Sequence, residues 1–193
     1  MRLQSLLFLF VVIFSAVHYC SAQDTMDQTE SLSTGERLRR VEEQIEVLRT
    51  PKHRADIDVL RKLESELRKM IETDPSSVFK SQIEADLDFV NENVGDHELM
   101  VASYYMNTGH GLRAASMRLR NVTQRYPKFS KMDEVLFRLI RVSAANQEEQ
   151  DAVRYSWSLI CNYPNSEYVK PAFEQLNSIG VRSWEGCQKY KLQ

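Results

Sequence analysis

Glycine and proline are scarce in this chain of 193 residues, at six and five. A β-rich fold uses both at its hairpin turns, and no alternating β-branched run bounded by such turns follows the first two dozen positions. Excess charge of either sign is also missing, with 25 basic against 27 acidic residues. Removing a leader that contains only Arg2 moves the net charge from −2 to −3, and neither value suggests a nucleic-acid binder. No glycine-rich phosphate loop, Ser-His-Asp set or isolated carboxylate pair is present. His97-Glu98-Leu99-Met100 opens like a zinc-protease helix, but Val101 stands where the second histidine is required. His53 and His110 fall at turns, where solvation is the expected state. The expectation is therefore a protein without enzyme activity, cofactor or metal.

What remains is ordinary for a globular protein, 42% apolar and 27% charged, and rich in helix formers. The first 22 residues have the form of an export signal. Arg2 gives the positive end, Leu3 to Val17 is nearly all apolar, and Cys20-Ser21-Ala22 offers small residues for cleavage, so that Gln23 starts the mature chain. The apolar run is shorter than the ~20 residues a spanning helix needs. Cys20 opens a second route, lipid attachment at that cysteine, although His18 and Tyr19 are bulkier than the usual residues before an acylated cysteine. Residues 23–34 are polar and rich in Ser and Thr, as in a flexible linker.

Helical stripes then follow in order. Leu38, Val41, Ile45 and Leu48 form one, and Val59 or Leu60, then Leu63, Leu67, Met70 and Ile71, another, interrupted by Pro51 and stopped at Asp74-Pro75. Residues 35–75 thus read as an N-terminal helical hairpin, with an intermolecular coiled coil as the alternative. Ser76 or Ser77 caps the next helix, with Phe79, Ile83, Leu87 and Val90 as its stripe, and Asn93 to Asp96 is expected to turn into the following unit. That unit is a helix pair: Leu99, Ala102, Tyr105 and Met106 on the first, a turn at Gly109 to Gly111, and Ala114, Ala115, Met117, Leu119 and Val122 on the second. Glu98 reads as an acid favoured by the dipole at that first helix's start, by ~0.3–1 kcal/mol. Tyr126-Pro127 ends the pair.

The grammar recurs. Leu136, Leu139 and Val142 make a stripe, Ala152, Tyr155 and Leu159 the next, and Tyr163-Pro164 repeats Tyr126-Pro127. Asn165-Ser166 caps a last helix with Val169, Phe173, Leu176 and Ile179. Ala102, Tyr105, Gly109, Ala114, Pro127, Ala152 and Pro164 are the residues expected to define the repeat, which is a tetratricopeptide-like unit of ~34 residues. The fold class is all-α, a tetratricopeptide-like helical-repeat array (an α-solenoid) over residues 76–180, preceded by the hairpin and followed by a tail, 181–193. Repeat arrays of this kind bind other proteins.

Several residues leave two readings open. Cys161 and Cys187 either form a disulfide or remain unpaired, and the reading favours two unpaired thiols. Arg113, Arg118, Arg120, Arg125, Lys128 and Lys131 make a basic run. Arg118 and Arg125, seven apart, are candidate contacts for an acidic partner, with a solvated outer face as the alternative. Asn121-Val122-Thr123 matches a glycosylation acceptor but lies mid-helix, where a coincidence is the better reading.

Glu98-Leu99-x-Val101-Ala102-x-Tyr104-Tyr105, then Gly109, Ala114-Ala115, Arg118 and Tyr126-Pro127, resembles the BamD family, tetratricopeptide proteins of the outer-membrane β-barrel assembly machine. The resemblance continues through Asp133-Glu134-x-Leu136-Phe137-x-Leu139, Ala152 and Tyr163-Pro164-x-Ser166-Glu167, the C-terminal half. Residues 35 to 75 do not show the family's extra N-terminal repeats. The resemblance implies a periplasmic scaffold at the inner face of the outer membrane, tethered through Cys20 if that residue is lipidated. Its implied partner is the membrane-embedded barrel-assembly subunit (BamA-like). A generic periplasmic tetratricopeptide adaptor of another envelope or division complex is the alternative.

Overall fold

The computed structural model describes residues 32–49, 56–109, 111–181 and 187. The expected export signal with Cys20, most of the expected linker, Pro51, His53, His110 and the tail residues Trp184 and Tyr190 lie outside the described residues. Among those described there are seven helices and no strand: α1 Thr34–Arg49, α2 Ile57–Thr73, α3 Lys80–Thr108, α4 Leu112–Arg125, α5 Met132–Ala145, α6 Glu149–Asn162 and α7 Val169–Ser178. Backbone contacts divide the chain into two compact units, Met1–Arg54 with Glu66–Asp86 and Ala55–Ser65 with Leu87–Gln193.

In the first unit, α1 starts at a capping box. Ser33 N donates to Glu36 Oε2 at 3.1 Å while Glu36 N donates to Ser33 Oγ at 3.4 Å, so two otherwise unpaired amides are satisfied reciprocally. Leu38, Val41 and Ile45 are buried along one face. Leu67, Met70 and Ile83 are fully buried as well.

The second unit is a tetratricopeptide-like helical array. Helix α4 packs on α5, α5 on α6 and α6 on α7, and α5 also reaches α7. Ala115 and Ala152, 37 positions apart, have no exposed surface, and neither do Val122 and Leu159 at the same offset. Small residues at the first pair let neighbouring helix backbones approach; the second pair fills the layer below.

The helices are joined by one repeated turn. At Tyr126-Pro127, Tyr126 N donates to Val122 O, Phe129 N to Tyr126 O, Met132 N to Phe129 O and Val135 N to Lys131 O. The same four bonds recur at Tyr163-Pro164, and again at Asp74-Pro75 from Asp74 N→Met70 O to Ile83 N→Phe79 O. Proline stops the preceding helix by withholding an amide, and the ladder of bonds re-aims the chain into the next. Ser77 and Ser166, three residues after the first residue of their turns, each accept an amide two residues on, from Phe79 N and Tyr168 N.

Two expectations are corrected. Asn93 to Asp96 forms no turn, because α3 runs unbroken from Lys80 to Thr108. Asn93 Nδ2 donates back to Phe89 O at 2.8 Å, and a Cβ at Gly95 would meet Phe129 Cδ2 at 2.6 Å, so this glycine admits a ring rather than breaking a helix. Cys161 and Cys187, read as unpaired, form a disulfide with Cα atoms 5.3 Å apart. Sequence separation says nothing of that distance; the packing of α7 sets it.

Candidate functional site

The basic run around α4 is not a bare charged face. Arg118 Nη1 donates to Glu98 Oε2 and Arg61 Nη2 to Glu98 Oε1, both at 2.7 Å, so one carboxylate on α3 is clasped from α2 and α4. Glu98 is 2% exposed. A bare carboxylate at that depth would be strongly unfavourable; the two charge-assisted bonds are what permit it. Its hydrogen bond with Glu98 holds the Arg118 guanidinium above its ordinary pKa. A second buried acid, Glu64 on α2, accepts from Arg125 Nη2 at 3.1 Å and from Tyr126 Oη at 3.1 Å. Burial first, and then the Glu64 charge, push the Tyr126 phenol up to about 12, so it stays a donor at any physiological pH.

Three of the remaining cations are also engaged, while Arg113 is exposed at the start of α4. Arg120 bridges Glu148 and Asp151, Lys128 meets Asp88 and Lys131 meets Asp96. Arg118 and Arg125, singled out for an acidic partner, therefore each hold a buried glutamate of this chain. Glu98 is corrected as well. It lies mid-helix in α3 and has no helix start to stabilise.

Of the residues expected to define the repeat, Ala102 and Ala152 are fully buried. Of the pair Ala114-Ala115, it is Ala115 that is fully buried, while Ala114 is half-buried. Tyr105 stands edge-on to Tyr104 at 5.9 Å and beneath the Arg118 guanidinium at 5.9 Å. A Cβ at Gly111 would fall 2.5 Å from Tyr105, which explains the second glycine of the turn. Gly109, with φ +71°, supplies the left-handed backbone there. Pro127 and Pro164 are exposed at the first turn position after Tyr126 and Tyr163.

Met117, read as part of the buried stripe, is corrected to the surface at 72% exposure. Tyr104 on α3 is 67% exposed, and Met100 stands one turn before it on the same face. Large apolar side chains left on a helical array are the material of a protein contact. Among the described residues no group of three His, Cys, Asp or Glu side chains is arranged to hold a metal ion. A hollow of about 520 Å³ lies beside the start of α6, lined by Gln147 to Asp151, and two of its acids belong to the Arg120 bridge.

Sequence reasoning missed the roles of Glu64 and Glu98. A signal existed: Glu64 sits four after Leu60, and Glu98 four after Val94 and four before Ala102, so both acids occupy stripe positions.

Comparison with known proteins gives two findings. The family model YfiO, described as outer membrane lipoprotein, matches residues 15–156. The outer membrane protein assembly factor BamD of Caulobacter vibrioides is 27% identical over 116 residues, which cover 60% of this chain and 38% of that protein. The chain thus spans well under half the length of the curated relative it matches.

Proposed function

Because the chain belongs to the YfiO family of outer membrane lipoproteins, we propose that it is a non-enzymatic scaffold of the machinery that assembles β-barrel proteins into the outer membrane. The family match carries this reading, and the relative named as an assembly factor supports it. The array of α4 to α7 gives the scaffold its body, and in-chain ion pairs engage Arg118, Arg120 and Arg125 of its basic helix. The partner is the membrane-embedded barrel-assembly subunit, held through a periplasmic segment. Tyr104 and Met117 are its exposed apolar anchors. A guanidinium has five donors, so Arg118 and Arg125 can each take a partner carboxylate beside the glutamate they already hold.

In this reading residues 1–22 direct export, 23–34 form the linker, 35–75 the hairpin, 76–180 the repeat domain and 181–193 the tail. The protein works in the periplasm at the inner face of the outer membrane. The family's description as lipoproteins, together with a match that takes in residue 20, supports acylation at Cys20 as the tether. An intact mass beginning at Gln23, with no acyl chain, would remove that tether from the account.

The test is to crosslink the tagged chain in intact cells and identify what co-purifies from solubilised envelopes. The barrel-assembly subunit is expected in comparable amounts. Recovery of other envelope or division proteins without it would replace the proposal with a generic adaptor.

A further inference from the structure

Cys161 and Cys187 record a reaction that the chain undergoes rather than one it performs. Cys161 lies in the last turn of α6, and the whole of α7 is enclosed in the sequence between the two cysteines. Helix α7 is seated by Ala172 and Leu176, both buried, by Phe173 edge-on to Trp157 at 6.3 Å, and at its start by Tyr168 stacked on Phe137 at 4.8 Å. That packing returns the chain to α6, and the sulfurs meet there. The one other cysteine in this sequence is Cys20, in the export signal. Both fates open to it, removal with the leader or acylation, take away its thiol. Within this sequence a single pairing is then available, and it joins cysteines that follow one another.

We infer that this chain is a substrate of a dithiol-oxidising thiol–disulfide oxidoreductase that acts after export, and that it requires no disulfide isomerase. One cysteine of the chain, as thiolate, attacks the oxidant's disulfide, forming a mixed disulfide and freeing one oxidant sulfur. The second cysteine, as thiolate, attacks the chain-side sulfur of that mixed bond, and the oxidant leaves as a dithiol. Two electrons pass to the oxidant, and the two protons lost by the chain's thiols balance those the dithiol gains. An enzyme is needed because a bacterial periplasm is kept oxidising by catalysts rather than by a small-molecule buffer. An isomerase is unnecessary where, as in this sequence, the two thiols have no wrong partner to correct. The inference rests on the export reading and not on the barrel-assembly role.

The full chain is to be produced in three strains of a diderm bacterium: complete, lacking its periplasmic dithiol oxidase, and lacking its disulfide isomerase. Acid-quenched, fractionated cells are treated with a polyethylene glycol maleimide, with Cys161→Ser and Cys187→Ser as migration standards. The expected result is a bonded periplasmic chain in the complete and isomerase-lacking strains, and a several-fold fall in the bonded fraction without the oxidase. A fully bonded chain without the oxidase, or free or mispaired thiols without the isomerase, would overturn the inference. A cytoplasmic chain with free thiols in the complete strain would overturn the export reading and the inference with it.

Discussion

The ring of Phe129 occupies the space that a side chain at Gly95 would need. An added Cβ would lie 2.6 Å from Cδ2 and 2.8 Å from Cε2 of that ring, closer than such atoms approach in folded proteins. Phe129 cannot swing aside cheaply, since its backbone is held in the Tyr126-Pro127 turn and the residue is 4% exposed.

Gly95→Ala should therefore destabilise the fold although alanine is the better helix former. Overpacking costs about 1–3 kcal/mol, against a propensity gain of up to ~1 kcal/mol. Urea unfolding decides it, and the companion variant Phe129→Leu should make Gly95→Ala less harmful. A stabilised Gly95→Ala chain would show that the ring gives way.

The clasp on Glu98 makes a prediction about additivity. Arg61→Ala or Arg118→Ala alone leaves one guanidinium on the buried carboxylate and should cost about 1–2 kcal/mol, since both arginines are partly exposed. The double variant strands the carboxylate and should cost about 1 kcal/mol more than the sum. A double-mutant cycle in urea reads this. Strict additivity would mean that the two pairs do not share a buried charge.

Much of the fold follows from local pattern, and much of the site does not. The stripes of α4 to α7 and the two Tyr-Pro stops depend on neighbours three or four residues away, which a sequence displays directly. The span of α3 is not legible in the sequence because Gly95 looks the same whether it breaks a helix or admits a ring from position 129. The roles of Glu64 and Glu98 are hidden for a similar reason. Their partners Arg125 and Arg118 lie 61 and 20 residues away, and only packing shows that these acids point inward. The disulfide likewise depends on how α7 lies on α6, which no spacing of cysteines encodes.

Asp86 should make stability fall as the pH rises. It is 3% exposed, its nearest Arg49 contact is 3.9 Å, and Oδ2 has no hydrogen-bond partner among the described residues. Burial raises its pKa above the usual carboxylate value, opposed by Arg49 and by a hydrogen bond with Gln82. A group raised in the folded state contributes stability fully below its unfolded pKa, and that contribution is lost as the pH climbs through the folded value. Asp86→Asn should thus stabilise the protein at neutral pH, with the advantage shrinking toward pH 3. An advantage that does not change with pH would contradict the assignment.

The disulfide closes a loop with a sequence separation of 26. Its removal in a Cys161→Ser/Cys187→Ser chain should cost about 3 kcal/mol, chiefly through a freer unfolded state. The melting temperature should fall by roughly 10 °C at unchanged helix content. Circular dichroism melts test this; an unchanged melting temperature would show that packing alone fixes α7.

The central claim is that this chain docks directly on the barrel-assembly subunit. The most direct measurement is calorimetric titration of the purified mature chain with the periplasmic part of that subunit from the same organism. The account predicts saturable one-to-one binding, weakened by Tyr104→Glu and Met117→Glu without loss of folding. A heat trace indistinguishable from dilution, with both proteins folded, would contradict it.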